Sequence, residues 1–79
     1  MITVEDLRRR MKDIEWNVDA LALSEDMPLT DQGLDSLDMV TFYFKCEEWF
    51  GLKIPDADLP RLGSLRDCAG YLNSRLHGR

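Results

Sequence analysis

The chain has 79 residues, of which 44% are hydrophobic and 32% are charged, and its formal net charge is −5. This length favours one small domain spanning residues 1–79, and the composition excludes a disordered chain or one inserted in a membrane. Eight acidic residues and no lysine or arginine lie between Asp13 and Phe44. We expect this acidic surface to repel nucleic acid and to attract basic partner proteins, unless it serves only solubility.

The N-terminal stretch and the cysteines indicate the compartment. Residues 1–13 mix both signs of charge and lack the apolar core of a signal peptide, which favours a cytoplasmic protein. Cys46 and Cys68 occupy apolar positions of predicted helices without CxxC spacing. We therefore expect buried free thiols, with neither a disulfide nor a zinc site.

Residues 3–16 have the pattern of an amphipathic helix. Thr3 and Asp6 have the spacing of a capping box at its start. The apolar stripe that follows at spacings of three and four consists of Val4, Leu7, Met11 and Ile14.

Residues 17–35 read as a long loop, since they contain Pro28, Gly33 and many short polar residues. A connection of this length in so small a domain is typical of a functional or self-packed loop. The apolar residues expected to hold it against the helices are Leu21, Leu23, Met27, Leu29 and Leu34.

Residues 36–50 predict the second helix, which Gly51 should end. Its core-facing residues are Met39, Phe42, Tyr43, Cys46 and Phe50. A second apolar line on the adjoining face consists of Leu37, Val40 and Phe44. One core contact does not need both lines, so the second predicts an exposed docking surface.

Two more helical segments follow. Pro55 and Pro60 leave room for a single helical turn starting at Asp56. Residues 64–79 form the last predicted helix, capped by Ser64, and its apolar face comprises Leu65, Cys68, Ala69, Leu72 and Leu76. The sequence thus predicts an all-α bundle of three main helices and one short helix, with a long first loop.

The sequence contains no convincing pattern of catalytic or metal-binding residues. The single histidine, His77, lies near the end of the sequence, where a frayed terminus would hold a base poorly. Residues 33–37 do not have G-x-S-x-G spacing, and the acids from Asp26 to Asp38 do not follow the order of an EF-hand loop. We therefore predict no catalytic residue and no metal ligand.

Ser36, in the stretch "QGLDSLDMV", has two compatible interpretations. As a preferred N-cap residue it is expected to start the second helix, where Asp38 complements the helix dipole. A helix N-terminus also stabilises an anion, so the same hydroxyl could carry an esterified phosphate group. Helix physics alone does not choose between them.

The stretch "GLDSLDMV" resembles the attachment-site motif of acyl carrier proteins, small helical carriers that bear a phosphopantetheine arm on the serine of an Asp-Ser-Leu core. The stretch "EEWFGLKIPDADL" is similar to the family's end of the second helix, where an acidic pair and a phenylalanine precede Ile54-Pro55-Asp56. The resemblance covers roughly residues 3–76 and implies an acyl-carrier-like four-helix bundle.

The resemblance also implies a function without catalysis. Ser36 would receive 4'-phosphopantetheine from coenzyme A through a phosphopantetheinyl transferase, and the arm would carry acyl groups as thioesters. Asp35 and Leu37 would contact the transferase. The residues implied to face ligases, synthases and transferases that load and use the cargo are Asp38, Val40, Phe44, Glu47 and Glu48.

The second helix departs from the family pattern, with Thr41 and Trp49 where fatty-acid carriers commonly have acids, and with Lys45 added. Its five aromatic residues, Phe42, Tyr43, Phe44, Trp49 and Phe50, either fill the space of a long acyl chain or simply pack the core. We therefore hypothesise a specialised, monomeric carrier of short, aminoacyl or polyketide-type cargo, in a specialised fatty-acid, polyketide or nonribosomal pathway.

The basic run Arg8-Arg9-Arg10 with Lys12 makes the first helix less acidic than expected of a housekeeping carrier, although these residues could form a solvated face paired with neighbouring acids. The alternative function is an unmodified helical interaction module with a carrier-like fold.

Overall fold

The computed structural model describes residues 1–16 and 18–77. It contains three α-helices, α1 (Val4–Met11), α2 (Ser36–Phe50) and α3 (Leu65–His77), and three short 3-10 helices at Ala20–Ala22, Leu29–Gln32 and Asp56–Arg61. No strand occurs in these two ranges. The predicted all-α, acyl-carrier-like bundle is therefore confirmed. The predictions at Asn17, Gly78 and Arg79 lie outside the described residues.

The start of α1 has the predicted capping box. The Thr3 hydroxyl accepts the N–H of Asp6, and the Asp6 carboxylate accepts the N–H of Thr3, both at 3.0 Å. This N–H, together with the Thr3 hydroxyl, lowers the pKa of Asp6 because both favour the ionised carboxylate. Two orphan donors of the helix end are thus satisfied locally.

Helix α1 is shorter than predicted, because it ends at Met11 rather than near Trp16. The N–H groups of Asp13 and Ile14 donate to carbonyls three residues back, which tightens the chain into turns and stops the α-helical ladder. Leu7 and Met11 are buried, as the stripe predicts, and Ile14 is half-buried.

The long loop packs on itself and on the bundle, as expected. The side chain of Gln32 accepts the N–H of Ser24 at 2.7 Å and donates to the carbonyls of Ser24 and Met27. Leu23, Leu29 and Leu34 are buried, in agreement with the prediction. The prediction is wrong for Leu21 and Met27, which are 51% and 47% exposed. Leu21 lies in the short Ala20–Ala22 helix, and Met27 lies in a bend between the two short helices of the loop.

Two arginines fasten this loop to the helices. The Arg8 guanidinium donates to the Leu23 carbonyl at 3.0 and 2.8 Å. The Arg66 guanidinium forms ion pairs with Glu25 and Asp26 of the loop. The backbone N–H of Arg66 also donates to the Glu25 carbonyl at 2.9 Å.

Arg8 also pairs with Glu5 at 3.1 Å, which agrees with the interpretation of the basic run as paired with neighbouring acids. Its side chain is not simply solvated, however, because it also holds the loop.

Gly33 ends the loop in the left-handed region, with φ +104°. A Cβ at this position would also lie 3.1 Å from Cγ1 of Val18. Only glycine meets both conditions without strain, and its turn directs the chain into α2.

The core lies where the three α-helices and the loop meet. Its fully buried side chains include Leu7, Met11, Leu29, Phe42, Cys46, Leu62, Leu65, Cys68 and Leu72. Cys46 and Cys68 are buried free thiols, as predicted. Leu76 is 42% exposed, so the predicted apolar face of α3 is correct only as far as Leu72.

Two details of the C-terminal half complete the fold. Ser64 caps α3 as predicted, since its hydroxyl accepts the N–H of Asp67 at 3.1 Å. The 56–61 helix is longer than the predicted single turn and passes through Pro60. The N–H groups of Asp58 and Leu62 each donate to the carbonyl three residues earlier, on either side of Pro60. The helix therefore continues although the proline has no N–H to donate.

Candidate functional site

Ser36 is the first residue of α2, and the prediction that it caps this helix is wrong. The cap is Asp35, whose carboxylate accepts the N–H of Asp38 at 2.9 Å. In return, the Asp38 carboxylate accepts the N–H of Asp35 at 3.2 Å. The reciprocal capping box requires acceptors three residues apart, and these two aspartates provide that spacing.

This arrangement leaves the Ser36 side chain free. Ser36 is exposed, and its hydroxyl has no hydrogen-bond partner among the described residues. It lies at the positive end of the α2 dipole, which favours an esterified phosphate at this position. The residues present therefore fit a covalently attached phosphate ester.

The predicted second apolar line of α2 is exposed. Leu37, Val40 and Phe44 are 76%, 47% and 66% exposed. Spacings of three and four place them along one face of the helix, beginning next to Ser36. The prediction of an exposed apolar surface on α2 is thus confirmed.

The acidic residues beside this line differ in their surroundings. Asp35 and Asp38 belong to the capping box. Glu48 is exposed and lies 3.5 Å from Lys45. Glu47 is half-buried, and its carboxylate accepts the N–H of Ile54 at 2.7 Å, a contact that the sequence did not reveal.

A cleft lies between α2 and the 56–61 helix. Its volume is about 180 Å³. The residues that line it are Val40, Tyr43, Phe44, Glu47, Ile54, Asp56 and Leu59. Most of the lining side chains are apolar, and Val40 lies one helical turn from Ser36. An acyl group attached near Ser36 could therefore enter this cleft.

The aromatic residues of α2 separate into different roles. Phe42 is fully buried in the core, whereas Trp49 and Phe50 form an edge-to-face pair at the far end of the helix. The Arg10 guanidinium covers this pair, 4.9 Å from the Phe50 ring centroid. Only Tyr43 among the core-facing aromatics lines the cleft.

The buried thiols have no features of a reactive site. Burial raises the pKa of Cys46 to about 12 and raises that of Cys68 as well, so neither forms a thiolate near neutral pH. Within residues 1–16 and 18–77, no group of three or more His, Cys, Asp or Glu residues could hold a metal ion. In the same ranges no helix is long and apolar enough to cross a bilayer.

Comparison with known proteins identifies the family. Residues 5–72 match the family model described as "Phosphopantetheine attachment site". The chain is 32% identical over 80 residues to the acyl carrier protein of Thermotoga maritima, covering 96% of this chain and 99% of that protein. It is 31% identical over 75 residues to that of Chloroherpeton thalassium, covering 90% and 94% of the two chains.

A third relative, the acyl carrier protein of Campylobacter jejuni subsp. doylei, is 32% identical over 75 residues, covering 94% of this chain and 96% of that protein. Proteins of this kind are carriers rather than enzymes and bear covalently attached 4'-phosphopantetheine. They interact with a phosphopantetheinyl transferase and with acyl-handling enzymes. Fold, exposed serine and sequence similarity agree, and the chain belongs to the acyl carrier protein family.

Proposed function

We propose that Ser36 is the attachment residue and that the chain carries short acyl, aminoacyl or polyketide-type groups. The observation that carries this proposal is the exposed Ser36 hydroxyl, which has no partner among the described residues. Two other serines lie within the family match. Ser24 accepts an N–H hydrogen bond from Asp26 at 3.3 Å, and Ser64 is buried as the cap of α3. Ser36 is the better acceptor for a modifying enzyme.

Attachment requires a phosphoryl transfer to the Ser36 oxygen. This oxygen forms a bond to the phosphorus of the pantetheine phosphate of coenzyme A, the bond to the departing adenosine bisphosphate breaks, and the hydroxyl proton passes to a base of the transferase. The negative phosphodiester then lies at the positive end of α2, which is favourable. The bound group supplies a thiol that holds an acyl group as a thioester.

The surface beside Ser36 supports a binding role. The apolar residues Leu37, Val40 and Phe44 offer contact area, and the acids Asp35, Asp38, Glu47 and Glu48 surround them with negative charge. Such a surface complements a transferase, loading ligase or synthase that has an apolar patch within a basic rim. Asp35 and Leu37, next to the hydroxyl, are the proposed contacts of the transferase.

The size of the cleft supports a short cargo. At about 180 Å³ the cleft is small. The larger depression of about 530 Å³ that adjoins it at Phe44 and Glu47 is a more open part of the surface, which shelters a bound group less. We infer a monomeric cytoplasmic protein of a specialised fatty-acid, polyketide or nonribosomal pathway. A carrier that visits several enzymes needs its α2 surface free, which favours a monomer.

The attachment proposal is tested by incubation with coenzyme A and a broad-specificity phosphopantetheinyl transferase, followed by intact mass measurement. The wild type should gain the mass of one phosphopantetheinyl group. Ser36→Ala should gain nothing, while the matched control Ser24→Ala should gain the same mass as the wild type. An unmodified wild type, or a modified Ser36→Ala, would contradict the proposal and would favour an unmodified interaction module.

A further inference from the structure

The cleft beside α2 has an outer and an inner side. Val40 and Phe44, on the outer side, are 47% and 66% exposed. Ile54 is buried, and Tyr43 and Leu59 are half-buried and pack against the core. A group entering from Ser36 therefore passes the exposed side chains first and meets the wall of Tyr43, Ile54 and Leu59 next.

The side chain of Tyr43 joins this inner wall to the centre of the core by a hydrogen bond. Its hydroxyl donates to the carbonyl of Leu62, with a donor–acceptor distance of 3.4 Å. Leu62 is fully buried, and the Cys68 thiol contacts the same carbonyl at 3.5 Å. The Tyr43 ring also contacts Phe42, with 6.1 Å between the ring centroids. The ring thus occupies the route from the cleft toward these core residues.

The volume in front of Tyr43 limits what the cleft can hold. Its roughly 180 Å³ compares with about 150 Å³ for an apolar protein cavity that binds one benzene molecule. Benzene has six carbon atoms. A longer chain would have to displace the Tyr43 ring or leave the cleft, either for solvent or for the more open depression of about 530 Å³ that adjoins it at Phe44 and Glu47.

We propose that Tyr43 determines cargo size, because its ring closes the inner end of the cleft and restricts a sheltered acyl group to about six carbons. This inference rests on the proposed carrier function, and it assigns the upper limit on the length of the sheltered acyl group to one side chain. Phe44, Trp49 and Phe50 are not part of the barrier, since Phe44 is exposed and the other two lie at the far end of α2.

The test attaches the cargo chemically, so that it does not depend on a transferase. In a Ser36→Cys variant the new thiol is exposed, whereas Cys46 and Cys68 are fully buried and their raised pKa values keep them protonated. Iodoacetamides with a pantetheine-length spacer should therefore alkylate position 36 alone. The spacer ends in a butyryl, hexanoyl, octanoyl or decanoyl amide, and amide chemical shifts report where each chain lies.

With Tyr43 present, butyryl and hexanoyl chains should shift the amides of Val40 and Ile54. Octanoyl and decanoyl chains should add no shift at Leu62 or Cys68. With Tyr43→Leu added, the two longer chains should shift both of these core amides. Tyr43→Phe is the matched control, which retains the ring and should behave as the tyrosine does.

Two results would overturn the proposal: shifts at Leu62 and Cys68 with the longer chains while Tyr43 is present, or identical spectra for the tyrosine and leucine forms. The first can be read without any change at Tyr43, so the test stands even if Tyr43→Leu folds poorly. Failure of enzymatic attachment at Ser36 would contradict the carrier proposal separately, because the chemical series does not use that reaction.

Discussion

Glu47 contributes to stability in two ways that can be measured separately: through its hydrogen bond to Ile54 and through its negative charge. The Glu47 carboxylate accepts the Ile54 N–H at 2.7 Å, and Ile54 is only 7% exposed. The substitution Glu47→Ala removes the acceptor and leaves this N–H without a partner. The neighbouring Glu48 is exposed and pairs with Lys45 at 3.5 Å. Glu48→Ala is therefore the matched control.

The magnitude follows from the desolvation of the Ile54 N–H. A buried donor that loses its partner costs about 1–3 kcal/mol. Both alanine variants remove one negative charge near the C-terminus of α2 and gain similar helix propensity, so these terms largely cancel in the comparison. Glu47→Ala should therefore lower the free energy of unfolding by about 1–3 kcal/mol more than Glu48→Ala.

The variant Glu47→Gln distinguishes the bond from the charge. Glutamine retains an acceptor oxygen and loses about 1 kcal/mol of charge assistance. Relief of the unfavourable negative charge at the helix C-terminus returns about 0.3–1 kcal/mol. We expect Glu47→Gln to stay within about 1 kcal/mol of the wild type.

Urea and thermal unfolding measure these differences, and a loss of 1 kcal/mol should lower Tm by about 4–8 °C in a domain of this size. Amide exchange at Ile54 should also become faster in Glu47→Ala. Equal stability of Glu47→Ala and Glu48→Ala would refute the reasoning, as would a loss in Glu47→Gln as large as that in Glu47→Ala.

Three further predictions concern the start of α2, the loop and the thiols. Because Asp35 is the cap of α2, Asp35→Ala should lower the free energy of unfolding by about 0.5–2 kcal/mol. Ser36→Ala should change it by less than about 0.5 kcal/mol. Urea titrations in which Ser36→Ala is the less stable variant would contradict the assignment of the cap. Gly33→Ala should destabilise more than Gly51→Ala in thermal melts, since both have positive φ but only Gly33 has a side chain 3.1 Å from the added Cβ. Cys46, with a pKa of about 12, should resist a thiol reagent in the native protein and react after unfolding in urea; rapid native labelling would show that it is accessible.

Much of the fold could be predicted from residues close together in the sequence. The capping box of Thr3 and Asp6 and the cap at Ser64 are confirmed, because a cap and its partner lie three residues apart. Apolar spacing likewise identified the buried faces of the helices. The end of α1 at Met11 was not predictable in this way, since Ile14 continues the apolar stripe while the backbone already forms tighter turns.

The candidate site was predicted in part. The exposed line of Leu37, Val40 and Phe44 followed from the surplus of apolar residues on α2. The interpretation of Ser36 as the cap failed because Asp35 is an equally good cap residue and also pairs with Asp38. The loop contact of Arg8 gave no signal in the sequence, since its partner is a backbone carbonyl fifteen residues away.

By itself, the sequence determined the three main helices, the caps at Thr3 and Ser64, the serine motif and the acidic, partly apolar face of α2. These features depend on helical periodicity and on neighbours within one turn. The tertiary structure alone decided that Glu47 holds Ile54 and that Tyr43 lines the cleft while its hydroxyl donates to the Leu62 carbonyl. Both contacts depend on where the chain beyond Gly51 packs against α2, and no local pattern records that placement.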